Sequence, residues 1–214
     1  MNPPRRSLDP DRTITVVSGL PRSGTSMMMQ MLSAAGLPIA TDDRRIADDD
    51  NPKGYYELEA VKTLREDASF LAEATGRVVK IVAPLLPFLS TAYDYRIVFM
   101  ERDLAEVLAS QSIMLGRRQG IGSHTPDDGP LTKAFAHQLE RVKLWLADRD
   151  NVATCFVSHR RAITSPTATA LAVAAFLEET GAFETLHAGS AARALAATRM
   201  CEAIDPALHR QRRA

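Results

Sequence analysis

"TITVVSGLPRSGTSMMMQMLSAAG", Thr13 to Gly36, passes from an apolar β-branched run through a glycine-bounded turn into a segment of helical periodicity. TITVVSG predicts a buried strand, and TSMMMQMLSAAG predicts a helix that ends at Gly36 on a left-handed cap residue. Gly19 and Gly24 have the spacing of the phosphate loop G-x-x-x-x-G-K-[ST], and Ser26 takes its hydroxyl position. Thr25 stands where that loop carries its lysine. An anion site survives the exchange, because the first amides of a helix lack intrahelical partners and sit at the positive end of the dipole. The cation of the loop is Arg22, whose planar fork suits an oxyanion held side-on rather than a metal-bridged γ-phosphate. Ser23, Gly24, Thr25 and Ser26 complete the candidate cradle. The plain alternative is a tight strand-to-helix connection that holds nothing.

Outward from this loop, apolar β-rich runs alternate with helical segments, the pattern of parallel βα units with helices on both faces of a sheet. RVVKIVA, YRIVFMER and ATCFVS predict further strands. DLAEVLASQSIML predicts a helix capped by Asp103, with Leu104, Val107, Leu108 and Met114 on its apolar face and Gly116 at its end. LTKAFAHQLERVKLWLADRD reads as a long amphipathic helix with Leu139, Val142 and Leu146 facing inward. SPTATALAVAAFLEETG reads as another, begun at Ser165–Pro166 and stopped by Gly181. TDDRRIADDDNPKGYY and GRRQGIGSHTPDDGP lack regular periodicity, and as loops near the carboxyl ends of strands they are candidate substrate walls or lids.

With 214 residues and 45% hydrophobic content, the chain predicts one core, a single domain over 1–214 with residues 1–12 and about 208–214 as flexible tails. Lys+Arg and Asp+Glu both number 26, so no global basic field exists to gather nucleic acid or anionic membrane. Cys155 and Cys201 form neither a CxxC nor a zinc spacing and predict free thiols in a reducing compartment. The amino terminus lacks the apolar core of a signal peptide, and the longest apolar runs are too short to span a bilayer. A soluble cytoplasmic protein without an integral membrane segment is expected.

The second informative stretch is YRIVFMERDLAEVLASQ. Its strand runs into Glu101 and Asp103, so a magnesium-dependent nucleotide hydrolase stays open. Arg102 closes the strand and Ser110 lies two turns into the next helix, a pair able to grip a separate phosphate between guanidinium and hydroxyl. On spacing alone, Arg102 as a surface residue and Ser110 as a helix filler explain the same letters.

Taken together, GLPRSGTS and RDLAEVLAS resemble the two cofactor motifs of the sulfotransferases that use 3′-phosphoadenosine 5′-phosphosulfate (PAPS). In that family the first holds the 5′-phosphosulfate, and the second holds the 3′-phosphate through an arginine and a serine eight positions on, here Arg102 and Ser110. NPKGYYE, FVSHRRAITSPTATALAVAAFLEETG and IDPALHRQR are similar to later segments of bacterial members, so the likeness touches most of the chain. It implies a three-layer α/β P-loop fold with a central parallel sheet. It also implies PAPS as cofactor, adenosine 3′,5′-bisphosphate as product, no required metal, and a small-molecule or peptide acceptor with a hydroxyl or amine.

Sulfuryl transfer releases a phosphate whose developing charge needs fixed donors, a task suited to Arg22, the loop amides and the Thr25 and Ser26 hydroxyls. The acceptor needs in-line positioning and a general base. No histidine precedes Arg102, and the first is His124. By resemblance to the tyrosylprotein branch, Asp43 is a candidate base, with Asp42 beside it; by resemblance to other bacterial members Glu57 is a second candidate, and a solvated acidic loop is the plain alternative for each. A lysine inside an apolar strand is costly unless it reaches a counter-charge, and the resemblance gives Lys80 the role of stabilising the transferring sulfuryl or the leaving oxygen. His159, Arg160 and Arg161 follow the last predicted strand as a weaker signal for the nucleotide pocket. The basic tail HRQRR is left without a role. A P-loop kinase or hydrolase with a degenerate loop, and a nucleotide-binding protein without catalysis, remain as alternatives.

Overall fold

A computed structural model of the chain describes residues 8–42, 44, 54–119, 129–183 and 191–204. Strands β1 (Thr13–Gly19), β2 (Val78–Lys80), β3 (Asp94–Glu101) and β4 (Val152–Ser158) form one parallel sheet in the order β2-β1-β3-β4. The helices are α1 (Thr25–Ala34), α2 (Leu71–Ala74), α3 (Leu104–Gln119), α4 (Gly129–Ala147), α5 (His159–Thr164), α6 (Pro166–Glu179) and α7 (Ala191–Ala203). Among the described residues no helix is long and apolar enough to cross a membrane.

Both faces of β1, β2 and β3 are covered, which is why these strands are apolar in near-continuous runs, whereas β4 at the edge leaves Phe156 exposed. Val17, Val98, Met100 and Val157 pack with Met28, Leu32, Val173, Leu177 and Met200 of α1, α6 and α7. Ile14, Val16, Ile97 and Phe99 point the other way and pack with Leu71, Val142 and Leu146 of α2 and α4 and with Leu86 of the 3₁₀ turn Ala83–Phe88. Each such side chain removed from water contributes about 1.5 to 3 kcal/mol. Three layers follow from this two-sided burial.

The register places the functional end of the sheet. Val17 pairs with both Lys80 and Val98, Gly19 with Met100, and Glu101 with Ser158. The strands therefore leave the sheet at nearly one level, and the residues that follow them share one rim. At the opposite rim the buried Asp94 accepts from the Asp9 amide at 2.8 Å and from Arg12 Nη2 at 2.9 Å. Leu8 is buried and Pro10–Arg12 forms a 3₁₀ turn, so this part of the expected amino-terminal tail is fastened to β3. Arg96, also buried, donates to Thr15 Oγ1 at 3.3 Å and to the Thr180 carbonyl at 2.6 Å, a cation at the carboxyl end of α6.

Some element boundaries differ from those read in the sequence. RVVKIVA contributes only Val78–Lys80 as strand; the Ile81 amide still donates to the Val17 carbonyl at 3.0 Å, but Pro84 has no N–H for a ladder and the chain turns. Helix α3 runs through Gly116 to Gln119, since a single glycine inside a helix costs only about 1 kcal/mol relative to alanine. Helix α7 has little local signal: its alanine-rich sequence has no strong apolar stripe, although Ala196, Ala197 and Met200 are buried at helical spacing.

Candidate anion-binding site

The chain crosses from β1 to β2 on one side of the sheet and then places β3 on the other side of β1. The carboxyl ends of β1 and β3 thus flank the switch point where connections diverge, the usual ligand crevice of open α/β sheets. Gly19 to Thr25 occupies it. The Ser23 amide donates to the Leu20 carbonyl at 3.1 Å, Pro21 takes the second position and Arg22 the third with φ 72°. These are the features of a type II turn, whose third position favours glycine. An arginine held there is backbone strain at a candidate site.

The bounding glycines are required by space as well as by dihedral angle. Gly19 has φ 145°, and a Cβ on it would meet the Ser23 hydroxyl and lie 2.6 Å from the Met100 carbonyl. Gly24 has φ 97°, and a Cβ there would lie 2.5 Å from His159 Cδ2. Gly24 caps α1, and Met28 closes the first helical bond to its carbonyl at 3.1 Å. Among the described residues no backbone carbonyl accepts from the amides of Gly24, Thr25 or Ser26. The Ser23 hydroxyl is buried without a hydrogen-bond partner among the described residues. An anion offers acceptors to the three amides, while the Ser23 hydroxyl lies against Gly19. The Ser23 amide, expected to join them, is committed to the turn.

The second motif meets the first directly. Arg22 Nε donates to Ser110 Oγ at 2.9 Å, so the cation of the loop and the hydroxyl of α3 touch across 88 residues of sequence. Arg102 Nη1 donates to the Arg22 carbonyl at 2.9 Å, and its Nε donates to Glu106 Oε2 at 3.0 Å. Arg22, Arg102 and Ser110 therefore form one polar cluster at the rim. Sequence spacing leaves Arg102 indistinguishable from a surface residue, whereas its side chain is only 9% exposed.

The acids that could have held magnesium are otherwise engaged. Glu101 pairs with Lys143 of α4 at 2.7 Å. Asp103 caps α3, accepting from the Ala105 and Glu106 amides at 2.9 and 3.2 Å. Among the described residues no group of His, Cys, Asp and Glu is arranged to hold a metal ion.

Lys80 ends β2 next to the loop strand, 8% exposed. Its Nζ donates to the Tyr55 carbonyl, lies 3.4 Å from Glu57 Oε1 and sits 5.9 Å from the centre of the Tyr55 ring. The structure thus brings together Lys80 and one of the two proposed bases. Tyr56, between Tyr55 and Glu57 in the chain, has φ 52°, a second left-handed non-glycine residue. Thr41 Oγ1 and the Asp42 amide both donate to the Glu57 carbonyl, at 3.0 and 3.4 Å, fixing this segment beside β2. The Asp42 carboxylate accepts from the Glu59 and Arg44 amides at 2.8 and 3.1 Å. These amides, Glu59 first, hold its carboxyl below the ordinary aspartate value. Asp42 is therefore a structural acceptor. Asp43 lies outside the described residues, as do His124, Asp48 to Asp50 and the basic tail.

In the sequence His159 stands in a basic run after a strand. In the fold it is 7% exposed and packs beneath Gly24. Arg160 and Arg161 are exposed on α5. No protein-family model matches this chain, and no curated protein matches it.

Proposed function

We propose that this chain is a PAPS-dependent sulfotransferase, with a P-loop version of the three-layer fold, acting on a hydroxyl or amine of a small-molecule or peptide acceptor. The observation that carries the reading is the meeting of Arg22 with Ser110 and Arg102 at the β1/β3 switch point. That cluster joins an amide-lined loop without lysine to an arginine and a hydroxyl, an arrangement suited to a nucleotide with phosphates at both its 3′ and 5′ positions. The amides of Gly24, Thr25 and Ser26, which no backbone carbonyl among the described residues accepts from, fit the 5′ end.

PAPS supplies an activated sulfuryl group whose leaving group is a phosphate. On this reading Ser23, Gly24, Thr25 and Ser26 bind the 5′-phosphate and its sulfuryl substituent, and Arg102 with Ser110 binds the 3′-phosphate. Arg22 and Lys80 offset the negative charge that develops at the leaving oxygen. Glu57 takes the acceptor proton, being the candidate base beside Lys80. The engagement of Glu101 with Lys143 and of Asp103 with the α3 amides speaks for a metal-independent reaction over a kinase or hydrolase.

Thermal denaturation with adenosine 3′,5′-bisphosphate and with Mg–ATP tests the ligand, since only a ligand bound by the native state raises the transition. Stabilisation by the bisphosphate is expected; stabilisation by Mg–ATP alone rejects the proposal. Turnover is read as transfer of labelled sulfuryl from PAPS to a panel of phenols, alcohols, amines and tyrosine peptides, with and without chelator. Bisphosphate binding without transfer to any acceptor would favour a nucleotide-binding protein that is not an enzyme.

A further inference from the structure

We infer that His159 is a positioning residue for the anion loop, one that holds Gly24 in its left-handed conformation and thereby aims the first amides of α1. The inference rests on the anion-loop reading above and adds a residue to it. Ser158 pairs with Glu101 in the sheet register, so the residues that follow, His159 and Arg102, leave neighbouring strands side by side. Arg102 holds the loop at the Arg22 carbonyl. The imidazole of His159 holds it at Gly24: a Cβ there would stand 2.5 Å from its Cδ2 and 3.5 Å from its Cγ, with the Met100 methyl at 3.4 Å. The glycine and the ring are therefore in contact with no space for a side chain between them.

The backbone that carries the ring is fixed by the start of α5. His159 opens α5, whose cap Ser158 accepts from the Arg161 amide at 3.3 Å, and it is buried against the loop. Glycine samples left- and right-handed backbone conformations with similar ease, so Gly24 alone does not fix the direction of the Thr25 and Ser26 amides. A buried side chain packed behind it does. Removing that side chain leaves the 3′-phosphate grip of Arg102 and Ser110 in place but loosens the donors for the 5′-phosphate.

The test compares adenosine 3′,5′-bisphosphate with adenosine 3′-monophosphate, which lacks the group the loop would hold. His159→Ala is expected to weaken the bisphosphate about tenfold while changing the monophosphate by less than about twofold, in line with the cost of a misplaced binding group. His159→Phe, which keeps a flat ring against Gly24, is expected to restore most of the loss. Gly24→Ala weakens the bisphosphate by itself, and adding His159→Ala to it costs little more, because both act on one contact. Equal loss for both ligands marks a merely structural role and overturns the inference, as does no loss or a fully multiplicative double variant. His159→Leu is read in the same way if the alanine variant does not fold. If the wild-type protein binds neither nucleotide, the sulfotransferase proposal fails on its own. Inorganic pyrophosphate, which needs only the loop, then becomes the probe, and unchanged binding by His159→Ala overturns the positioning role.

Discussion

Arg102 donates a hydrogen bond to the main-chain carbonyl of Arg22 at 2.9 Å across 80 positions of sequence. The acceptor belongs to a residue with φ 72° at the third position of the loop turn. A non-glycine residue there costs on the order of 1 to 3 kcal/mol and persists where surrounding contacts over-determine it. Here the determinants are the Arg102 bond to its carbonyl and the Ser110 bond to its side chain. The candidate site thus stores strain in the residue assigned to the reacting group.

That strain inverts the usual order of two substitutions. Arg22→Ala and Arg22→Gly both remove the guanidinium, but only glycine adopts φ 72° without penalty. The glycine variant is expected to be more stable than the alanine variant by about 1 kcal/mol. Urea unfolding of the two proteins checks this, and a more stable alanine variant contradicts a left-handed Arg22. Neither should transfer sulfuryl groups at the wild-type rate.

Arg102→Ala is expected to weaken adenosine 3′,5′-bisphosphate by about tenfold to a hundredfold, the loss of a charge-assisted hydrogen bond of about 1.5 to 3 kcal/mol. Arg102→Lys recovers little, because an ammonium cannot serve Glu106 and the Arg22 carbonyl with the same fork. Titration calorimetry reads both. Binding unchanged in Arg102→Ala rejects the 3′-phosphate clamp.

Glu57 and Lys80 separate binding from turnover. Glu57→Gln keeps the size of the side chain near Lys80 and is expected to slow sulfuryl transfer by about a hundredfold or more, the contribution of a general base. Its affinity for the bisphosphate should stay within about twofold of wild type. A variant with normal turnover moves the base elsewhere, with Asp43 the next residue to substitute.

Asp42 gives a pH signature. The Glu59 and Arg44 amides hold its carboxyl below 3.8, so the native state binds the proton less tightly than the unfolded chain. The stability it contributes is present above pH 3.8 and is lost as the pH falls through the lowered native value. Asp42→Asn should therefore unfold at lower urea concentration at pH 7, with the difference from wild type shrinking below that point. A difference that grows in acid contradicts the hydrogen-bonded carboxylate.

Much of this architecture was legible in local sequence. The β-branched run before Gly19, the helix after Gly24 and the cap at Asp103 are short-range features, and each reappears where propensity and spacing put it. The parallel sheet followed from the alternation of apolar strands with amphipathic helices. What local sequence could not decide was which residues meet. Arg22 with Ser110, Arg102 with the Arg22 carbonyl, Lys80 with Glu57 and His159 with Gly24 are contacts between distant segments, and no periodicity encodes them. They follow from the register that brings the ends of β1, β2, β3 and β4 to one rim. Sequence alone determined which elements form and which residue types carry charge; packing two apolar faces onto one sheet decided which of those charges share a site.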